Sequence, residues 1–473
     1  MVYQRVRLTL HIIGSILKYL ALIYIFPLYA AIHYGENWQI FLYALLLTLG
    51  IGLFLEFRFK TDRVIERADG FAIVSFTWLL VPLLSTVPYV FLGWSFLDAF
   101  FEAMSGFTTT GATILQRIEE VPRSVLLWRS LTQWLGGMGV IALFIAILPR
   151  LRVGGSQLFD REFPGPLPER LRPRFRTTAR ILWAIYVAFT GVEIALLYFL
   201  AKLRLFDSIC ISLCTLPTGG FTPTTGSIGA YANPLAEYII MAFMLLAGTN
   251  FIIHYQVLKG NLKIFKDEEF RLYLIILAVA ASLLVFSEGL SSYRYGLFHA
   301  ISIMTGTGFV TSNFALWSSG ARMVLLALMF IGACGGSTGG AIKVVRILTL
   351  MKNAGVMMRR AISPKAVIPV KCDGKPIPEE VLRDIISFLF LYFLVAAAAA
   401  IILSFLGLDL ETAISAAAAT LGNVGPGLGA VGPASHYAWL PAAGKAILIF
   451  CMWLGRLELF TVFMILSPRF WKG

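Results

Sequence analysis

The stretch Ser105–Thr113, "SGFTTTGAT", sets three threonines and two glycines between strongly apolar segments. Glycine reaches backbone angles closed to other residues, so successive carbonyl oxygens can be turned inward. Threonine adds a hydroxyl. Such a donor set is all oxygen and uncharged. It suits a monovalent cation that exchanges its hydration shell for carbonyls, whereas zinc or copper would call for cysteine or histidine.

Three relatives of this stretch follow: "CTLPTGGFTPTTG" (214–226), "MTGTGFVTSN" (304–313) and "TLGNVGPGLG" (420–429). Aligned, they bring Gly111, Gly220, Gly308 and Gly425 into register, each behind a short apolar segment. Asp98 and Asp207 stand thirteen residues before their glycines, Glu411 fourteen before Gly425, and Tyr295 takes that place in the third copy. An early acid fits the N-terminal turn of a helix. Small residues also let membrane helices pack closely, but four copies at one place in four similar units point to loops that converge. Non-helical backbone at membrane depth survives only where protein or a water-filled cavity satisfies it, so four such loops around an axis define a pore lined by carbonyls.

The elements that must hold these loops are written in the composition. Of 473 residues, 58% are hydrophobic and 14% charged, with a mean hydropathy of +0.80. Apolar runs such as "LTLHIIGSILKYLALIYIFPLYAAI" recur, each long enough to cross a hydrocarbon core of about 30 Å. The first lacks a small-residue cleavage site and reads as a retained helix. The expected fold is an all-α polytopic membrane protein: four tandem units of helix, re-entrant pore helix, filter loop and helix around a central pore. Two extra N-terminal helices (8–32 and 38–56) precede them. The expected divisions are 1–68, the two-helix extension; 69–150, pore unit 1; 151–177, a basic linker; 178–260, unit 2; 261–355, unit 3; 356–380, a second linker; and 381–473, unit 4.

The net charge of +13 is concentrated in alternate connections, and the arginine-rich stretch from Pro149 to Arg180 alone holds eight arginines. That is the positive-inside pattern, which places both termini and the basic linkers in the cytoplasm. It argues for lipid headgroups and orientation rather than nucleic acid. The five cysteines (Cys210, Cys214, Cys334, Cys372, Cys451) form no disulfide framework, and Cys210 with Cys214 lacks the further ligands of a metal site.

Four long–short–long units, "GFTTTGAT" in the first, one glycine per loop and two leading helices resemble the Trk/Ktr/HKT superfamily of potassium transporters, and within it the bacterial TrkH/TrkG-type membrane subunit. The resemblance covers essentially the whole chain. It implies potassium uptake across the bacterial inner membrane through a gated, channel-like pore. Gly111, Gly220, Gly308 and Gly425 would be the filter glycines, and Thr110, Gly219, Thr307 and Val424 the carbonyl donors before them, these eight holding the transported K+. The fourth loop lacks hydroxyls and no loop reads "TVGYG", so fewer well-formed ion sites are expected and strict exclusion of sodium is not.

In unit 3 the helix after the filter is interrupted by "GACGGSTGGAIK" (332–343). It lacks the residue order of a phosphate-binding loop and no strand precedes it. By the resemblance, Gly335, Gly336, Ser337, Thr338, Gly339 and Gly340 belong to an intramembrane loop that obstructs the pore below the filter. Lys343 is either its anchor or the cytosolic end of the span. Arg456 lies deep in the last apolar run, where a charge normally has a partner. It either bonds the gating loop from the pore side or pairs with a carboxylate such as Glu193 or Glu237; Glu458, at i+2, faces away on a helix.

The rival readings are an ion-coupled (proton or sodium) symporter and a polytopic membrane enzyme. No histidine pair has HExxH spacing and no serine sits in a G-x-S-x-G elbow, so no catalytic residue is expected. Four repeats of one orientation differ from the inverted repeats of many carriers. No cofactor or nucleotide-binding domain is expected in this chain. The resemblance assigns nucleotide to a ring of cytosolic TrkA-type regulatory subunits docked on a homodimer, with the 150–180 and 343–383 segments as docking surfaces or orientation signals.

Overall fold

The computed structural model describes residues 2–63, 66–147, 175–261, 266–289, 293–364 and 368–472. The basic linker expected over 151–177 lies almost wholly outside them.

The two leading helices are α1 (Val2–Ile23), continued by α2 (Ile25–Tyr34), and α3 (Gln39–Arg58). Gly14 and Gly52 let α1 and α3 touch backbone to backbone: a Cβ on Gly14 would stand 2.7 Å from the Gly52 carbonyl. Packing through small residues is how membrane helices associate without a hydrophobic driving force.

Each unit then repeats one pattern. Unit 1 has α4 (Arg67–Leu84) with α5 (Val87–Phe91), the short α6 (Phe96–Phe107), and α7 (Arg123–Ile147). Unit 2 has α8 (Phe175–Ala195), the short α9 (Leu205–Thr215), then α10 (Pro234–Ala247) and α11 (Phe251–Leu258). Unit 3 has α12 (Glu268–Glu288), the short α13 (Tyr293–Thr305), α14 (Ser319–Phe330) and α15 (Val344–Ile362). Unit 4 has α16 (Glu379–Phe405), the short α17 (Leu410–Leu421), α18 (Ala442–Arg456), α19 (Phe460–Leu466) and a terminal turn, α20 (Pro468–Lys472). Among the described residues, six helices are long and apolar enough to cross a membrane, and two bent pairs add to them.

The four short helices hold 12, 11, 13 and 12 residues. At about 1.5 Å per residue they reach only some 20 Å, part-way through a bilayer. Two of them are capped at their starts by side chains: Ser95 Oγ accepts from the Asp98 amide at 3.2 Å, and Asp409 Oδ1 from the Thr412 amide at 2.8 Å. Their acids are also paired, Asp98 with Lys445 at 2.5 Å and Glu411 with Arg322 at 2.7 Å.

The helix after the filter departs from expectation in units 2 and 4. Hydropathy runs unbroken through both, yet α10 and α11 meet at 97°, and α18 and α19 at 114°. A tight hairpin, β1 (Lys371–Cys372) and β2 (Lys375–Pro376), pairs antiparallel with Cys372 opposite Lys375. Its turn, Asp373–Gly374, has φ of +46° and +76°, the two left-handed positions a two-residue hairpin favours.

Candidate functional site

Past each short helix the chain turns back through its glycine. Gly111, Gly220, Gly308 and Gly425 have φ of +80°, +82°, +72° and +100°. Two residues earlier stand Thr109, Thr218, Gly306 and Asn423, also left-handed at +54°, +56°, +79° and +53°. Left-handed angles alternating with ordinary ones turn successive peptide planes the same way. Positive φ at Thr109 and Thr218 is a steric outlier for a β-branched residue, the strain that clusters at functional sites.

The four loops close a ring. A Cβ built on Gly111 would lie 2.1 Å from the Gly219 carbonyl oxygen, and one on Gly220 2.0 Å from that of Thr307. On Gly308 it would lie 2.0 Å from the Val424 oxygen, and on Gly425 2.6 Å from that of Thr110. Each glycine faces the oxygen of the next unit, and the fourth returns to the first. All eight expected filter residues are therefore brought together. Residues following the glycines line one cavity of about 90 Å³ that all four glycines share.

The threonine hydroxyls are occupied by one another: Thr108 with Thr110 at 2.7 Å, and Thr305 with Thr307 at 2.8 Å. Asn423, beside the hydroxyl-free Val424, donates to Thr110 Oγ1 at 2.9 Å and so ties loop 4 to loop 1.

Two supports escaped the sequence reading. Gln133 on α7 holds loop 2 at both ends, donating to the Gly219 carbonyl at 2.6 Å and accepting from the Phe221 amide at 3.0 Å. Glu102 on α6 and Arg129 on α7, both buried, pair at 2.7 Å. Arg129 lies over the Phe221 ring at 4.1 Å and donates to the Thr222 carbonyl at 3.4 Å. Opposite charges inside apolar runs were the available signal for this pair.

Beneath the ring, Gly332–Ala341 forms a loop with a closed neck. Gly332 N donates to the Ile342 carbonyl at 2.9 Å, and Ile342 N to that of Phe330 at 3.1 Å. The loop presses on the ends of two short helices. A Cβ on Gly339 would meet the Thr305 carbonyl at 2.6 Å, and one on Gly340 that of Gly422 at 2.3 Å. Only glycine fits this approach. Cys334 N donates to the Gly248 carbonyl at 3.0 Å and Thr338 Oγ1 to that of Leu216 at 2.9 Å. The break between α10 and α11 thus supplies the Gly248 carbonyl, which a continuous helix would have consumed.

Arg456, the last residue of α18, bridges this loop to α7. Its Nη1 donates to the Thr338 carbonyl at 2.9 Å, and its Nη2 to those of Gly136 at 2.5 Å and Gly137 at 3.0 Å. Of the alternative partners, Glu237 pairs with Arg294 at 2.8 Å. The helix breaks at Leu457, which frees Glu458 to reach Arg346 on α15 at 2.5 Å. Lys343 is the N-cap residue of α15, buried, and donates through Nζ to the Gly339 carbonyl. It clasps the loop from within instead of marking a solvent-exposed end. Glu269 on α12, also missed, accepts through Oε1 from the amides of Gly335 at 2.6 Å and Val345 at 3.0 Å.

Four re-entrant loops from one chain, closed into a ring of carbonyl oxygens about a central pore, define an integral membrane protein of the cation-translocating class. Comparison with known proteins carries this further. The family model for TrkH, a cation transport protein, matches residues 38–472. The Trk system potassium uptake protein TrkH of Escherichia coli (strain K12) is 38% identical over 87% of this chain and 88% of its own length. TrkG of the same organism is 34% identical over 99% of both. The crystal structure of the potassium transporter TrkH from Vibrio parahaemolyticus superposes with a TM-score of 0.87 at 33% identity, covering 98% of this chain and 99% of that one. The chain belongs to the TrkH family.

Proposed function

We propose that this chain takes up potassium through a gated pore whose selectivity comes from the four-loop ring. The observation that carries the reading is that every filter glycine abuts the carbonyl oxygen before the next unit's glycine. A ring of uncharged oxygens replaces the water around an alkali ion without the tight hold of a charged site. The relatives named for potassium uptake lend the substrate. Thr110, Gly219, Thr307 and Val424 offer the oxygens, with Gly111, Gly220, Gly308 and Gly425 setting their direction.

The Gly332–Ala341 loop is the gate in its closed position, held by Lys343, Glu269 and Arg456. Its small residues and its seat under the ring support this role. The chain performs no catalysis and holds no cofactor; nucleotide acts through a separate cytosolic regulator of the TrkA type on a homodimer. The protein sits in the inner membrane with both termini cytoplasmic, as the placement of basic residues supports. Purified protein in liposomes, loaded with potassium and challenged in turn with sodium and rubidium, tests the whole. Potassium and rubidium should pass without ATP and sodium more slowly. Flux that requires a proton or sodium gradient would favour coupled symport, and no flux at all would remove the pore reading.

A further inference from the structure

The four short helices carry a position that the filter role alone leaves unexplained. Four residues after Asp98, Asp207, Tyr295 and Glu411 stand Glu102, Ile211, His299 and Ser415. All four side chains are buried. Three are polar, and each meets the same backbone group in its own loop, the amide three residues beyond the filter glycine. Glu102 Oε2 accepts from the Ile114 amide at 3.0 Å. His299 Nε2 accepts from the Thr311 amide at 3.4 Å, its Nδ1 being directed at the Tyr295 carbonyl at 2.8 Å. Ser415 Oγ accepts from the Leu428 amide at 2.8 Å.

Unit 2 explains why the rule is physical. Its residue three beyond Gly220 is Pro223, which has no N–H to satisfy, and the helix position is the apolar Ile211. A donor is met by an acceptor in three units, and where the donor is missing so is the acceptor. Ser415 stands ten residues before its glycine where the other three stand nine, yet its hydroxyl meets the same loop amide.

We infer that Glu102, His299 and Ser415, with Pro223 as their counterpart in unit 2, are positioning residues that fix where each filter loop leaves the ring, and so set ion selectivity. The inference rests on the filter reading above. A loop exit tied to its own short helix cannot drift, and an oxygen ring discriminates between alkali ions only while its diameter is held. These residues touch no ion; they act through the loop.

The experiment measures potassium-to-sodium permeability ratios of full-length protein in planar bilayers, with thermal midpoint in detergent as the fold control. Ser415→Ala removes the acceptor and should lower the ratio by at least about threefold, an uncapped buried amide being costly enough to shift the loop. Ser415→Thr keeps a hydroxyl and should restore the ratio. Pro223→Ala creates an amide with no acceptor and should lower the ratio as well, and adding Ile211→Ser should bring it back. A merely structural position would lower the thermal midpoint and leave ratios unchanged. Gly308→Ser serves as reference. If it alone moves the ratio, the positioning inference is overturned and the filter stands. If none of the variants moves it, the filter reading falls and takes the inference with it.

Discussion

Replacing Arg456 by alanine should leave the pore open without any regulator. In the closed arrangement its guanidinium spans two elements, with one bond to the Thr338 carbonyl in the loop and two to Gly136 and Gly137 on α7. Withdrawal of the loop breaks the first and spares the other two. Of these three bonds, the one to Thr338 distinguishes closed from open. A hydrogen bond to a charged group contributes about 1.5–3 kcal/mol, so its loss should shift the closed-to-open ratio roughly 10- to 150-fold toward open. Arg456→Lys should fall between, because a single ammonium cannot fork between helix and loop. The assay is uptake of radiolabelled rubidium into liposomes that contain the purified chain alone. Basal uptake should rise for alanine and rise less for lysine. If Arg456→Ala keeps the wild-type thermal midpoint and also the wild-type leak, the bridge does not bias the gate and the reasoning fails.

The filter glycines should differ in tolerance by how closely the next oxygen approaches. Gly425→Ala, whose Cβ would stand 2.6 Å from its neighbour, should keep more potassium selectivity than alanine at Gly220 or Gly308, at 2.0 Å; reversal potentials rank them, and a flat ranking would count against the ring. Glu269→Ala strands the amides of Gly335 and Val345, about 1–3 kcal/mol each. Rubidium leak should rise, while Glu269→Gln, which keeps an acceptor, should stay near wild type. Arg129→Leu leaves Glu102 buried without its counter-charge, a cost of about 3–5 kcal/mol; the thermal midpoint should drop clearly, and an unchanged one would show that the site is hydrated.

What the sequence could reveal follows from where the information lies. The ring of loops was legible because four glycines repeat at near-constant spacing, with an early acid before three of them. The break at 332–341 was legible because five glycines in twelve residues have no business inside a spanning helix. Arg456 stood out by its charge. The breaks at 248–250 and 457–459 were not legible for a different reason. Leu457, Glu458 and Leu459 include neither glycine nor proline, yet Glu458 and Leu459 have φ of +54° and +24°. The partner that this turn lets Glu458 reach, Arg346, lies 112 residues away. Gln133 is similar: nothing local marks a glutamine on α7 as the staple of a loop 86 residues on.

One chain with four units can hold the ring symmetric while giving each unit a separate task below it. The second helices of the four units meet the Gly332–Ala341 loop in different ways. Unit 3 opens into the loop, and unit 2 breaks to offer the Ala247 and Gly248 carbonyls, which accept from Thr338 N at 3.4 Å and Cys334 N at 3.0 Å. Unit 4 ends on Arg456, and unit 1 stays helical to receive it. The loop is therefore held directly from units 2, 3 and 4 and, through Arg456, from unit 1, most of the bonds ending on its backbone groups. Such bonds are strong while the site is dry and nearly neutral once water can take either partner's place, since exchange with water leaves only about 0.5–1.5 kcal/mol per bond. Opening and hydration must then proceed together: loop withdrawal admits water, and water removes the reason for the loop to return. Under the gating proposed above, a closed state of this kind is steep at first and yields quickly once begun, which suits a modest push at the start of α12 and on α15, where Lys352 meets Glu268 and the β1–β2 hairpin.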